Sequence, residues 1–206
     1  MLLIGVVAGV LGVAFNRGLL GLHRLFLGIR AVPAWALPGL VLAAVGLVAW
    51  WLPDATGGGH GVAQRLLSDQ YPAGVGVLLV LLAAKFAVTV ASYASGTPGG
   101  IFAPILVLGT ITGVIVGHVG GWLLPAVAPT PTAFAVLGMA AVFTASVRAP
   151  LTGITLILEM TGEQRQLFAL CGACLVAYLV AEALRDRPIY EALLDDDMAR
   201  RRAAAP

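Results

Sequence analysis

From Phe86 to Val147 the chain runs for 62 residues without an Asp, Glu, Lys or Arg. Inside that run sits Ser95-Gly96-Thr97-Pro98-Gly99-Gly100-Ile101-Phe102-Ala103-Pro104. About 20 apolar residues cross the hydrocarbon of a bilayer once, so an uncharged stretch of this length belongs in a membrane. The decapeptide, dense in glycine and proline, cannot continue a helix and must leave backbone groups unpaired. Irregular backbone at bilayer depth is tolerated only where protein buries it or where it lines a cavity. Function is therefore expected at this segment.

The rest of the composition agrees. Hydrophobic residues make up 60% of the chain and charged ones 11%, against about 25% charged in a soluble domain, and the mean hydropathy is +0.98. A chain of 206 residues reads as one compact unit of several helices. The net charge of +2 is small and dispersed, which excludes the basic footprint of a nucleic-acid binder. Arg185, Arg187, Arg200, Arg201 and Arg202 cluster at the C-terminal end, whereas the loops around Pro53 and Pro125 are poor in Lys and Arg. By the positive-inside rule the C-terminus is cytoplasmic, in an integral protein of the cell (inner) membrane. Met1 to Phe15 is apolar and opens without the basic residues of a signal peptide, so it reads as part of a membrane helix.

Pro, Gly and charge clusters divide the chain. Met1 to Ile29 and Ala31 to Trp51 read as helices, followed by Pro53-Asp54 and a Thr56-Gly57-Gly58-Gly59 loop. Val62 to Asp69 is amphipathic and too brief to span. Ala73 to Ser92 is longer and interrupted only by Lys85. Ile105 to Leu124, Ala133 to Val147, Leu151 to Met160 and Gln166 to Ala183 complete an all-α set of short, broken helices, a pattern found in transporters. Gly109, Gly113, Gly117 and Gly121 recur every fourth residue and share one helix face, the small-residue pattern that lets membrane helices approach closely.

The chemistry of the decapeptide follows from Pro104. Proline suits the first turn of a helix, where its missing N–H is no loss. The amides of Ile101, Phe102 and Ala103 then fall at the helix cap and point out of its end. Free N–H groups at the positive end of a helix dipole form an anion site, and Gly99 and Gly100 leave the approach bare. No carboxylate lies nearby in sequence, which favours a small anion over a cation. The other reading is a tight turn between two helices of a bundle.

Other polar residues carry less. Cys171 and Cys174 form a C-x-x-C, but in an apolar helical run they read as small apolar side chains. His118 has no second ligand at metal spacing, so no metal site is expected. Lys85, Arg148, Glu159 and Glu182 lie in or beside apolar segments, where ionisable groups are costly, and are expected to anchor structure. Arg148 and Glu159 flank one short helix and should occupy its opposite ends. Asp195 to Asp197 and Arg200 to Arg202 read as a solvated helix end or tail. There is no G-x-S-x-G, H-E-x-x-H, P-loop or Rossmann fingerprint, and the uncharged run offers no base or paired aspartates for an intramembrane hydrolase. An enzyme is not expected.

Gly100-Ile101-Phe102-Ala103-Pro104, with Ser95 to Gly99 before it, resembles the G-x-F-x-P selectivity motif of the CLC chloride channels and chloride/proton antiporters. The resemblance continues in Ala145-Ser146-Val147-Arg148-Ala149-Pro150-Leu151-Thr152-Gly153, in Leu158-Glu159-Met160-Thr161 and in Arg187-Pro188-Ile189-Tyr190. It covers nearly the whole chain but only the C-terminal half of the family's membrane domain, one half of its inverted-repeat fold. It implies a partial transmembrane domain over residues 1–190, with 191–206 as the end of the last helix and a cytoplasmic tail. It also implies that the amides of Ile101 and Phe102 and the hydroxyl of Tyr190 coordinate a central chloride, while those of Phe102 and Ala103 face an outer position. A phenol can contact an anion without the trapping strength of a lysine, which suits conduction; a tyrosine anchoring the membrane interface is the alternative.

The resemblance implies no cofactor beyond the chloride ligand, and a twofold homodimer in the full-length form, with Leu151 to Met160 and Leu167 to Leu184 at its contact. Two further anion-site segments of the family, G-S-G-x-P and G-R-E-G-P, do not occur in this sequence, nor does the inner proton-relaying glutamate that belongs upstream. The chain is accordingly expected to be a truncated product, with channel and exchanger left open. The rival reading is a non-transporting fragment or assembly subunit that needs a partner half.

Overall fold

The computed structural model describes residues 1–28, 33, 35–72, 74–97, 99–123, 130–162 and 164–204, and all regular structure among them is helical. The helices are α1 (Leu2–Gly28), α2 (Ala36–Trp51), α3 (His60–Leu67), α4 (Val75–Ala94), α5 (Phe102–Leu123), α6 (Pro131–Val147), α7 (Pro150–Thr161), α8 (Leu167–Ala183) and α9 (Ile189–Ala204). Ile29, Ala31, Ala73, Pro98, Leu124 and Pro125, which the sequence reading uses as segment ends or landmarks, lie outside the described residues, as do the side chains of Arg200 and Arg201. Within them the expected elements recur. The largest shift is at α2, which starts at Ala36 rather than Ala31, with Pro33 and Trp35 outside the helix; α5 starts at Phe102 rather than Ile105, because Pro104 fits as the third residue of its first turn.

Among the described residues, four stretches are long and apolar enough to cross a membrane: Leu2–Gly28, Val75–Ala94, Phe102–Leu123 and Gln164–Ala183. α6 and α7, with 17 and 12 residues, reach only about 26 and 18 Å at 1.5 Å per residue, short of the ~30 Å hydrocarbon layer. Their ends are set locally. The Thr130 hydroxyl accepts from the Ala133 amide with Pro131 in the first turn, the capping pattern that starts a helix. At the other end Arg148 adopts a left-handed φ of 64°, and Pro150 restarts the chain as α7.

The core is a helix bundle in which α6 is wrapped by α1, α5 and α8. The α5–α6 seam depends on glycine. A Cβ on Gly109 would stand 2.5 Å from the Gly138 carbonyl oxygen, one on Gly113 would overlap the Phe134 carbonyl, and one on Gly117 would lie 2.7 Å from Pro131 Cα. Gly138 answers from α6, where a Cβ would overlap the Gly109 carbonyl. Gly121 departs from the expectation, since among the described residues nothing lies within 4 Å of its Cβ position. Gly117 already faces Pro131, the first residue of α6, so α6 has no residue left to meet Gly121.

A second glycine seam runs along α1. Cβ atoms on Gly5 and Gly9 would fall 2.7 Å from Val176 and Val180 of α8, and one on Gly12 would fall 2.6 Å from Ala145 of α6. The sequence reading missed this seam, although Gly5 and Gly9 carry the same four-residue spacing. Among the expected anchors, Arg148 is half-buried at the C-terminal cap of α6 while Glu159 is exposed near the end of α7. Both cysteines carry free thiols, Cys171 exposed and Cys174 buried. His118 Nδ1 lies 2.9 Å from the Val114 carbonyl of its own helix.

Candidate functional site: the head of helix α5

The decapeptide forms the junction between α4 and α5. At the end of α4 the Ser95 hydroxyl donates to the Ser92 carbonyl at 2.7 Å and lies 2.9 Å from the Thr97 hydroxyl. Gly96 takes a left-handed φ of 83°, a conformation glycine adopts without steric cost, and its amide donates to the Tyr93 carbonyl. These bonds close α4 and turn the chain. Ile101 then plunges into the core, and its carbonyl accepts from Ile105 at 3.1 Å as the first bond of α5. The Phe102 ring stands edge-on to Phe143 with centroids 5.6 Å apart, tying the helix head to α6.

This geometry defines which donors remain. The first four amides of a helix have no intrahelical acceptor; at α5 these belong to Ile101, Phe102, Ala103 and Pro104, and proline has none. Three N–H groups are left at the positive end of a 22-residue helix. The helix head borders a cavity of about 420 Å³ whose walls include Gly99, Gly100, Ile101, Ala103 and Pro104. Val88, Thr89 and Ser92 of α4, Leu42 and Val45 of α2, and Gly57 and Gly58 complete it with Tyr93 and Thr97. Among the described residues that line it, none is charged.

Tyr93, Thr97 and Gly99 are shared with a second cavity of about 320 Å³, lined also by His23, Leu193, Asp196 and Asp197. The junction thus partitions an uncharged chamber from a charged one. Arg24 of α1 pairs with Asp196 of α9 there at 3.5 Å.

The expected site residues separate into two groups. Gly100, Ile101, Ala103 and Pro104 share the wall of the uncharged cavity, and Phe102 contributes its amide while its ring turns to Phe143. Tyr190 stands apart from that wall, half-exposed in the first turn of α9. Its neighbour is Tyr93, which lines both cavities. Partial burial, with Tyr93 adding to it, pushes the Tyr190 phenol above its ordinary value, so the hydroxyl keeps its proton and can donate.

Sequence reasoning assigned Lys85 an anchoring role and missed its proximity to the site. Its side chain is fully buried (0% exposed), and the ammonium donates to the Thr56 and Gly57 carbonyls at 3.0 and 2.6 Å. A Cβ on Gly59, at a left-handed φ of 77°, would fall 3.1 Å from the Lys85 nitrogen and 2.9 Å from Val107 of α5. The glycine loop therefore lies between α4 and α5, braced by the lysine, and presents Gly57 and Gly58 to the cavity. The available signal was Lys85 itself, the one charge in an otherwise apolar segment.

Comparison with known proteins bears on this site. Residues 1–182 match the family described as voltage gated chloride channel. The chain is 38% identical over 205 residues to the H(+)/Cl(-) exchange transporter ClcA of Cronobacter sakazakii, covering 98% of this chain and 44% of that relative. Its fold is similar to the crystal structure of a slow cyanobacterial Cl-/H+ antiporter, with a TM-score of 0.87 and 34% identity over 96% of this chain and 46% of the other. It is similar also to a CLC-type fluoride/proton antiporter, with a TM-score of 0.73 and 26% identity over 88% and 43% of the two chains. The chain spans less than half the length of each of these relatives. The matched stretch contains both glycine seams and the whole head of α5, and on that extent of agreement the chain belongs to the voltage gated chloride channel family, as an all-helical integral membrane protein.

Proposed function

We propose that this chain forms the C-terminal half of a chloride-conducting unit, a channel or a chloride/proton antiporter, and that the head of α5 is its anion contact. The observation that supports the reading is the helix head of α5, where the amides of Ile101, Phe102 and Ala103 lack an intrahelical partner, bordering a cavity with glycines in its wall and no charged residue in its described lining. Amides in a low-dielectric chamber attract a small anion strongly, and the absence of a lysine or arginine among its described lining residues keeps release possible, which conduction requires. The amides of Ile101 and Phe102 with the Tyr190 hydroxyl hold a central anion, and those of Phe102 and Ala103 face an outer one. Gly100 clears the approach and Pro104 sets the helix start. No cofactor other than the anion enters this reading.

The arginine-rich end supports a cytoplasmic C-terminus, in our reading of the chain as a protein of the inner membrane. Dimerisation would use α7 and α8, which turn Leu151, Phe168 (86% exposed), Leu175 and Leu179 outward. The anion relatives are said to move, chloride in one and fluoride in another, makes the choice of ion a matter for direct assay.

The test is anion efflux from liposomes, comparing this chain alone with the same chain joined to its native adjoining sequence. Chloride efflux from the joined form supports the reading. Silence from both overturns it in favour of a non-transporting subunit. In the joined form Tyr190→Phe is expected to weaken chloride binding about fivefold, the factor corresponding to the ~1 kcal/mol of one hydrogen bond, read by isothermal titration. Unchanged affinity removes Tyr190 from the site.

A further inference from the structure

α9 begins at Ile189 and carries Tyr190 in its first turn, yet it is a polar helix with only a small buried face, formed by Ile189 and Ala192. Such a face does not by itself fix the register of a helix. What fixes it is the turn from Leu184 to Pro188, and that turn is held by three other helices. Asn16 of α1, fully buried, donates through Nδ2 to the Asp186 carboxylate at 2.7 Å, to the Arg187 carbonyl at 3.1 Å and to the Ser146 carbonyl of α6 at 3.0 Å. Arg148, at the cap of α6, donates to the Asp186 carbonyl at 3.0 Å and to the Tyr178 carbonyl of α8 at 3.1 Å. Arg17 reaches the Leu184 carbonyl and lies 3.6 Å from the carboxylate.

Among these contacts the one between side chains that reaches from the core into the turn is Asn16 to Asp186. The Asp186 side chain is 4% exposed, so its carboxylate is a buried acceptor rather than a surface charge. Nδ2 of Asn16 divides among three acceptors in two directions, and the carboxylate is the closest of them. Without it, the amide loses its strongest partner in the turn and retains only the Arg187 and Ser146 carbonyls. Strong buried hydrogen bonds of this kind orient the groups that share them.

We infer that Asp186 is a positioning residue for anion binding: through Asn16 it sets the start of α9, and thereby the place of the Tyr190 hydroxyl. The inference rests on the reading of Tyr190 as an anion contact. It concerns this chain's own side chain in the turn, and no part of it requires Asp186 to touch the anion. Asp186→Ala removes the acceptor. Asp186→Asn retains an amide oxygen that can accept from Asn16 Nδ2, and its new NH₂ can donate to Asn16 Oδ1, a buried atom that accepts no hydrogen bond among the described residues.

The experiment is chloride binding by isothermal titration, with chloride alone as the probe, on the purified protein in its full natural length. Asp186→Ala, Asp186→Asn and Tyr190→Phe are compared singly, together with the Asp186→Ala, Tyr190→Phe double variant, and a melting curve is recorded for each. The expected result is that Asp186→Ala weakens chloride binding by up to about fivefold, the whole effect of losing the Tyr190 contact. Asp186→Asn restores it, and Asp186→Ala adds nothing in the Tyr190→Phe background.

If Tyr190→Phe weakens binding and Asp186→Ala does not, the positioning role is overturned and the tyrosine reading stands. Equal weakening by Asp186→Ala in both backgrounds also overturns it, because the effect then bypasses Tyr190. If Tyr190→Phe itself changes nothing, the tyrosine reading fails and the positioning role with it. Should Asp186→Ala not fold, Asp186→Glu replaces it: the extra methylene displaces the carboxylate, so the same weakening is expected, and unchanged affinity overturns the inference.

Discussion

The turn before α5 and the turn before α9 do the same topological work in opposite ways. At the first, the amides of Ile101, Phe102 and Ala103 have no partner within their own helix, and the helix head borders a chamber with glycines in its wall and no charged residue in its described lining. The second spends nearly everything, with carbonyls and a carboxylate taken up by Asn16, Arg17 and Arg148. A turn with so few side-chain bonds of its own must be held by other means. Here those means are the glycine seam beneath α5 and the lysine brace beside it. On the function proposed above, a site that catches and releases an anion needs donors free, whereas the frame that aims them needs none.

The sharpest way to break this contrast is to remove the seam. Gly113→Leu should destabilise the protein by more than ~3 kcal/mol, since overpacking alone costs about 1–3 kcal/mol and here the obstacle is the backbone carbonyl of Phe134 rather than a movable side chain. The expected readout is loss of the monodisperse peak in detergent size-exclusion chromatography, with little folded protein to melt. Gly121→Leu, eight residues further on and with no described atom within 4 Å of its Cβ position, should stay within about 0.5 kcal/mol of wild type. Equal tolerance of both would mean that α5 and α6 are not held as closely as described.

Next comes the brace. Lys85→Met keeps the apolar stem but removes the ammonium from the Thr56 and Gly57 carbonyls. Leaving two such acceptors unmet should cost roughly 2–3 kcal/mol, seen as a lowered melting temperature, with chloride affinity falling as Gly57 and Gly58 lose their place in the wall. Affinity unchanged beside a lowered melting temperature would separate the loop from the site.

Much of this was legible from sequence for a physical reason: the features concerned are local. A proline in a first turn, glycines at four-residue spacing and a charge-free run each constrain structure within a turn or two of themselves. So the helix set, the three amides and the Gly109, Gly113 and Gly117 face are all readable from the residues. What escaped depends on distant contacts. Gly138 and the Gly5, Gly9, Gly12 stripe matter only because of the helix that faces them, and Gly121 fails because α6 ends at its level. Asp186 reads as one more charge near a basic tail until Asn16, 170 residues away, is seen to bond it. Lys85 is conspicuous in sequence, yet its carbonyl partners lie in a loop 28 and 29 residues back.

The smallest effect tests the closed turn itself. Asp186 sits beside Arg17 and Arg148, yet burial raises its carboxyl above the usual 3.8, outweighing the Asn16 bond and both arginines. The ordering is reasonable, because Arg17 is 58% exposed and so screened by water, and Arg148 directs its guanidinium to carbonyl oxygens. A raised folded value means that the folded state holds this proton more tightly than the unfolded state does. Below about pH 3.8 both states carry it and the contribution is complete. As pH rises past that point the unfolded chain releases its proton first, so this residue's contribution falls until the folded carboxyl ionises as well, and is flat above. Asp186→Asn cannot titrate. The difference in melting temperature, wild type minus Asp186→Asn, should therefore decline as pH rises past the ordinary carboxyl value of 3.8 and level once the folded carboxyl has ionised. A difference that grows with pH over the same window would mean that the ionised carboxylate is favoured in the fold, with Arg17 and Arg148 rather than burial governing the turn.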